Sequence, residues 1–398
     1  MISYQEALKI ISEHPFPLTK EKVQIESSNG RILAEDVLAD RDFPPFDRVT
    51  MDGIAINYKA FAAGQRTFDV QEVIGAGIPQ KTITAPDKCV QIMTGAIMPK
   101  GLDTVIRYED ITIAEDKATI NESSINKKQN VHFKGEDRKQ GEVVIQKGTE
   151  LSPTELIVAA AVGKAELDVY QLPKAAIITT GDELVDISDQ PMEHQIRRSS
   201  NYGVLASLQS WKIQANQFHL NDNKDQLISQ LGNLIETYDL LVITGGVSRG
   251  KFDYLPDVMD QLGVEKHFHK VKQRPGKPFW FGTIENKCTV FALPGNPVSS
   301  FVCANVYLKF WIRNSLGLDT KFDLVKLAKD ISFIPPLTYF LECAVHTSST
   351  GERLAETIKG NGSGDFANMT SADGFVVLPD NQNEFKAGEV YPYIPFRF

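Results

Sequence analysis

The run Leu240-Leu241-Val242-Ile243, followed by Gly245, Gly246, Ser248 and Gly250 and then by Asp253, leaves this chain few folds to choose from. Four successive apolar residues running into a glycine-rich loop read as a short strand buried on both faces. Tyr254, Leu255, Val258, Met259 and Leu262 then recur at helical spacing, and Gly263 stops them. A strand, a glycine loop and a helix in succession bring bare backbone N–H groups up to an anion at a helix N-terminus. The acidic residue closing the loop adds a ligand for Mg²⁺. Any α/β turn favours glycine, so the stretch gains its meaning from its surroundings.

Those surroundings repeat the pattern. Between about 173 and 317 the strand Ala175–Thr179 ends in Thr180-Gly181-Asp182-Glu183, and Ser199–Asn201 opens a helix carrying Val204, Leu205, Leu208 and Trp211. A strand over Ile213–His219 leads to Asn221-Asp222-Asn223 and a helix with Leu227, Ile228, Leu231, Leu234 and Ile235 on one face. After Arg274-Pro275-Gly276-Lys277-Pro278, the strand Thr289–Leu293 runs into Pro294-Gly295-Asn296-Pro297. Asn296 fits an N-cap and Pro297 a first helical residue, starting a helix to about Leu316. This alternation predicts a doubly wound, mainly parallel sheet. Ligands of such sheets sit beyond the carboxyl ends of the strands. Asp182, Glu183, Asp222 and Asp253 are therefore expected on one rim with two glycine loops, and Lys277 and Arg274 supply positive charge. Asp182 and Asp222 fit a second role as helix N-caps, and Pro294 and Pro297 a role in shaping their loop.

The rest of the chain reads differently. Ser3 and Glu6 form a capping box ahead of a helix with Tyr4, Ala7, Leu8 and Ile11 on one face, and Ser152 and Glu155 form another ahead of Leu156–Val162. These two helices are expected to pair, giving a discontinuous helical domain of residues 1–44 and 141–172. Residues 45–140 show short strand patterns (Phe68–Val73, Cys89–Met93, Thr104–Tyr108, Lys117–Ile120) and predict a small inserted β domain. Val23–Ser27 reads as a strand, and Asp52-Gly53 as a hairpin-turn dipeptide. Residues 318–398, punctuated by Pro335-Pro336, Asp380-Asn381 and Pro392, predict a C-terminal β-barrel or sandwich after the 173–317 domain. The fold class is thus multidomain α/β and β.

With 398 residues, 42% of them apolar, and a net charge of −9, the chain reads as a globular protein without the basic face of a nucleic-acid binder. No apolar run is long enough to span a membrane, and the N-terminus lacks the basic region of a secretion signal. Four cysteines without C-x-x-C spacing fit reduced thiols in a cytoplasm. The seven histidines need no catalytic role, and His267-x-His269 reads as one face of a strand.

Met51-Asp52-Gly53, Met93-Thr94-Gly95-Ala96, Gly135-Glu136-Asp137, Thr180–Leu184, Gly245–Ser248 with Asp253, Pro275–Pro278 and Leu293–Ser299 follow one another in the order found in the molybdopterin molybdenumtransferases. The chain resembles that family over its whole length. The resemblance implies insertion of molybdate into adenylylated molybdopterin with release of AMP, a Mg²⁺ requirement, and a homodimer with a shared active-site cleft. It also implies a molybdopterin adenylyltransferase as substrate donor. Carried over motif by motif, it assigns Asp52, Thr94, Asp137, Glu183, Asp222, Asp253 and Lys277 to the chemistry. Glu183, Asp222 and Asp253 become metal ligands. Gly181, Asp182, Gly245, Gly246, Ser248, Arg274, Pro294, Gly295, Asn296, Pro297 and Ser363 become binding positions. The chain departs from the family pattern at Arg48-Val49-Thr50, at Ile97, at Arg274 in place of lysine, and at Leu341-Glu342, where an arginine is usual. Two other readings compete: a molybdopterin adenylyltransferase, which shares the glycine loop, and a scaffold or binding module.

Overall fold

The computed structural model describes residues 1–247, 254–358 and 365–397. The chain forms two compact units: Met1–Lys22, Gly30–Ile32 and Asp168–Phe398 make one, and Val23–Asn29 with Leu33–Leu167 make the other.

The first unit begins with helix α1 (Tyr4–Ser12), whose Ser3–Glu6 capping box is formed as expected. Its central sheet contains β1 (Ala175–Thr180), β2 (Ala215–Leu220), β3 (Leu240–Thr244), β4 (Glu265–His269), β5 (Trp280–Ile284) and β6 (Cys288–Leu293), in the order β2-β1-β3-β6-β5-β4. The first four strands of that order are parallel, and β5 and β4 add antiparallel at one edge. Every residue of β1, β3 and β6 is buried, because helices cover both faces. Ala175, Ile177, Leu240, Val242, Phe291 and Leu293 share a core with Val204 and Leu208 of α2 (Ser200–Ser210). Their neighbours Ala176, Ile178, Leu241, Ile243, Val290 and Ala292 face α3 (Lys224–Thr237) and α4 (Leu255–Gln261). Burial on both sides is why these strands carry unbroken apolar runs. Each fully buried Leu or Ile contributes about 1.5–3 kcal/mol.

Register sets the rim. Thr180 lies opposite Leu220, and Thr244 opposite Leu293, so the loops after β1, β2, β3 and β6 leave at one level. After β6, α5 (Pro297–Cys303) passes without a break through a π-helical turn, Ala304–Leu308, into Lys309–Ser315. The last region is a closed five-stranded barrel. Thr338–Thr347 pairs with both Arg353–Thr357 and Gly374–Leu378, and Asp323–Leu327 and Val390–Pro395 complete the ring. Closure removes the free strand edges that a short sheet would expose. Phe340, Phe375, Val377 and Ile394 of the barrel belong to the same core as one face of the central sheet.

Each of the two capped helices lies within its own unit. Tyr4, Ala7 and Ile11 of α1 enter the core that contains Trp311 and Ile312, with Tyr4 edge-on to Tyr307 and Phe340. The helix Pro153–Ala161 buries only Ala159 and keeps Ile157 exposed. Its apolar residues surround it on all sides, so its sequence gave no direction for packing.

The second unit holds a six-stranded sheet in the order Thr104–Arg107, Gly53–Ile56, Lys88–Ile92, Thr67–Ile74, Lys117–Ile120 and Ile111–Ala114. The chain reaches it and returns through Val37–Leu38, which pairs antiparallel with Val143–Ile145. Two local expectations fail. The strand expected over Val23–Ser27 lies at Lys20–Gln24 and gives way to a 3-10 turn. Gly53 is not a turn residue but the first of a strand between two partners. A Cβ there would stand 1.8 Å from the Ile106 carbonyl oxygen, so the close approach demands glycine.

Candidate active site

The rim of the first unit gathers residues from loops far apart in sequence. Gly181 has φ +136° and Gly245 φ +101°, conformations that a side chain disfavours. A Cβ on Gly245 would lie 2.7 Å from the Thr180 carbonyl oxygen, and one on Gly295 would lie 3.5 Å from the Gly245 Cα. The Gly245 N–H donates to the Leu293 carbonyl at 3.1 Å, and Ser200 Oγ donates to the Gly295 carbonyl at 3.0 Å. The loops after β1, β3 and β6 therefore touch. Thr180 Oγ1, buried beside Gly245 and Gly246, has no hydrogen-bond partner among the described residues.

The acidic residues cluster at the β1–β2 end of this rim. The Asp222 N–H donates to Asp182 Oδ1 at 3.1 Å, and the Glu183 carboxylate folds back over Gly181. Asp222 is not the N-cap of α3; Asn223 is, accepting from the Gln226 N–H at 3.1 Å. His219, which the sequence reading gave no role, stands within the field of both Asp182 and Glu183. Burial and then the charge of Arg198 push its pKa down. Asp253 and Ser248 lie outside the described residues, as does Ser363.

At the Pro294–Asn296 loop of the rim opens a cavity of about 460 Å³, lined by Arg274, Lys277, Pro294, Asn296, Tyr339 and Glu342 among others. Its wall is locked in place. Gln273 and Arg274 pair in parallel with Thr338 and Tyr339 of the barrel, making the loop a sixth strand on that sheet. Gln273 Nε2 donates to the carbonyls of Pro275 and Gly276 at 3.1 and 3.2 Å, while Tyr307 donates to Gln273 Oε1. Gly276, at φ +87°, leaves 2.6 Å between a would-be Cβ and Cys303 Sγ. Asn296 caps α5 through Ser299 N–H at 3.1 Å, with Pro297 at the first helical position, as the sequence predicts. Asp182, Glu183 and Asp222 do not line this cavity. Tyr339 lines it without any sequence signal having marked it, and Ser299 lines it as the last residue of the Leu293–Ser299 motif.

In the second unit, Thr94 donates to Asp52 Oδ1 through its N–H at 2.6 Å and its hydroxyl at 2.7 Å. Those two bonds, the amide first, hold the Asp52 carboxyl below the usual range. His132 Nε2 stands 3.0 Å from Asp137 Oδ1, and His132 Nδ1 3.4 Å from the Arg48 guanidinium. Strand pairing explains the grouping: His132 lies opposite Arg48, and the Gly95 N–H donates to Val49 at 2.8 Å. Thus Asp52, Thr94 and Asp137, distant in sequence, share one region of this unit. Arg48 and His132 join them, Arg48 having stood out earlier only as a departure from a motif.

A doubly wound, mainly parallel sheet with a closed barrel joined to it through Gln273 and Arg274 belongs to the α/β class, whose ligands generally bind at the carboxyl edge of the sheet. Residues 2–163 match the MoeA N-terminal region (domain I and II), 176–314 a probable molybdopterin binding domain, and 325–396 the MoeA C-terminal region (domain IV). The molybdopterin molybdenumtransferase of Synechocystis sp. is 38% identical over 400 residues, covering 99% of each chain. That of Staphylococcus aureus strain COL is 32% identical over 99% of this chain and 95% of its own. Two solved structures of the molybdopterin biosynthesis MoeA protein from Pyrococcus horikoshii superpose over the full length of both chains, with TM-scores of 0.84 and 0.83 at 27% and 26% identity. The chain belongs to the molybdopterin molybdenumtransferase (MoeA) family.

Proposed function

We propose that the chain inserts molybdate into adenylylated molybdopterin, releasing AMP and forming molybdenum cofactor, at the carboxyl rim of the β1–β6 sheet. The observation that carries this reading is the cavity of about 460 Å³ with Arg274 and Lys277 on its wall, sharing Pro294 and Asn296 with the loop that touches Gly245. Cleaving a phosphoanhydride requires charge to be neutralised on phosphate oxygens by groups already in position. The exposed Lys277 and Arg274 do this as cations, and Arg274 offers the planar fork that grips an oxyanion at two points. The amide of Gly246 adds a donor without side-chain bulk, that of Gly245 being held by the Leu293 carbonyl. Pro294 and Pro297 shape the loop, since proline offers no donor.

The donor set suits Mg²⁺. This ion takes one or two carboxylates together with substrate phosphates and retained waters, rather than an all-protein cage. Among the described residues no group of three or more His, Cys, Asp or Glu could hold an ion alone. Glu183, Asp222 and Asp253 are the residues assigned to hold it, and Asp182 positions Asp222 by accepting its N–H. When bound, Mg²⁺ supplies charge neutralisation at the phosphate. Asp52, Thr94 and Asp137 are assigned to positioning molybdate or the pterin dithiolene. A homodimer with a shared cleft and an adenylyltransferase that hands over the substrate belong to the same proposal.

The test is molybdate-dependent AMP release from adenylylated molybdopterin by the purified protein. Lys277→Ala is expected to lower kcat/KM at least tenfold, about 1.4 kcal/mol of transition-state stabilisation. Formation of adenylylated product from molybdopterin and MgATP, with no AMP release, would instead identify an adenylyltransferase.

A further inference from the structure

Glu342 contradicts the charge of the cavity it lines. It sits partly buried on the barrel strand Thr338–Thr347 and shares the wall with Arg274 and Lys277. Among the described residues its carboxyl has neither a hydrogen bond nor an ion pair. An ionised carboxylate here repels any oxyanion drawn in by the two cations, whereas a neutral carboxylic acid donates a hydrogen bond to it.

We propose that Glu342 is a specificity-determining residue of this cavity: an oxyanion enters together with one proton from solvent, which resides on the Glu342 carboxyl and is donated in a hydrogen bond to the anion. The proposal rests on the oxyanion reading of the cavity given above. No bond is made or broken beyond protonation of the carboxylate, so charge balances as one anion and one proton taken up together. The surroundings favour the acid form. Burial first, and the charge of Asp365 second, raise the Glu342 pKa above the ordinary carboxylate range. Tyr339, on the same strand, feels both Arg274 and Glu342. The positions opposite Glu342 on the neighbouring strands, Ile358 and Phe375, carry no charge, and the Asp373 carboxyl accepts from the Val345 N–H instead. The countervailing cations are Arg274 and Lys277, which line the same cavity. An arriving anion raises the Glu342 pKa further, so binding takes up a proton.

The experiment titrates molybdate alone into the full-length protein by calorimetry from about pH 6 to about pH 8.5, and repeats it with sulfate, whose charge is constant across that range. Above the carboxyl's pKa the wild-type affinity is expected to fall by up to about tenfold per pH unit, one proton being linked. Glu342→Gln is expected to be flat with pH and tighter than wild type at the alkaline end, and Glu342→Asp to restore the slope. A Glu342→Gln protein that keeps the wild-type slope, a wild-type protein that binds with no slope, or no binding by either overturns the proposal. AMP release separates this from the activity itself. If both proteins release AMP with the same KM for molybdate at every pH, Glu342 is not the determinant and the activity stands. If neither releases AMP, the activity reading fails, and the calorimetric slopes still decide the role of Glu342.

Discussion

Gly245 shows how one residue's backbone fixes a site. At φ +101°, with Thr180 backbone and side-chain oxygens 2.7 and 2.9 Å from the place a Cβ would take, it faces both strain and collision. Gly263 also has a positive φ, +76°, but nothing lies within 4 Å of its would-be Cβ. Gly263→Ala is therefore expected to cost only the left-handed penalty, about 1 kcal/mol. Gly245→Ala should cost more, about 1–3 kcal/mol from strain alone with the collision added, and should impair the rim. Urea unfolding of the two variants decides it: equal losses would mean the loop yields freely. Asp52 gives a second test at this scale. Its folded pKa is depressed by the Thr94 amide and then by the Thr94 hydroxyl. The sign follows: the interaction is present above the unfolded value, about 3.9, and is lost as pH falls through the lower folded value. Thr94→Val removes the hydroxyl and keeps the amide. The Asp52 carboxyl, followed by NMR, should then titrate higher than in the wild type yet still below an unperturbed aspartate.

Among the elements, α5 carries the tightest link between local sequence and site. Asn296 both caps the helix and lines the cavity, so one side chain sets the helix start and the wall. Asn296→Ala should lower stability by about 1 kcal/mol, and Asn296→Ser, which keeps a capping oxygen, should lose much less. Chemical denaturation of both variants checks this. Three capping signals were legible: Ser3 with Glu6, Ser152 with Glu155 and Pro153, and Asn296 with Pro297 all cap where the sequence places them, whereas Asn223 and not Asp222 caps α3. They are local, needing only three or four neighbouring residues. The partner of α1 was not legible, because the aromatic wall of Tyr307 and Phe340 that receives Tyr4 comes from the far end of the chain. The short strand Ile111–Ala114 and the helix Tyr58–Ala62 also escaped, being too brief to show a period.

Across the whole molecule the thiols report on the cores. Cys89, Cys288, Cys303 and Cys343 are all free and buried, in cores of both units. Burial pushes Cys89, Cys288 and Cys343 up to about 12, and Cys303 higher still. The thiolate is the reactive form. A thiol reagent at neutral pH should thus find no fast-reacting group in the native protein and four after denaturation. A rapid native thiol would show that one of these cores opens readily. Among the described residues no helix is long and apolar enough to cross a membrane.

Sequence by itself determined the alternation of strand and helix over the central region, the carboxyl-rim position of its loops, the caps, and the order of motifs that marks the family. Those properties follow from periodicity and from φ requirements, which act over a few residues. Tertiary structure alone decided that Gln273 and Arg274 become an added barrel strand, and that His132 meets Arg48. It also decided that Glu342 faces the same cavity as Lys277. These contacts depend on barrel closure and strand register, which bring together residues separated by tens of positions and leave no local pattern in the chain.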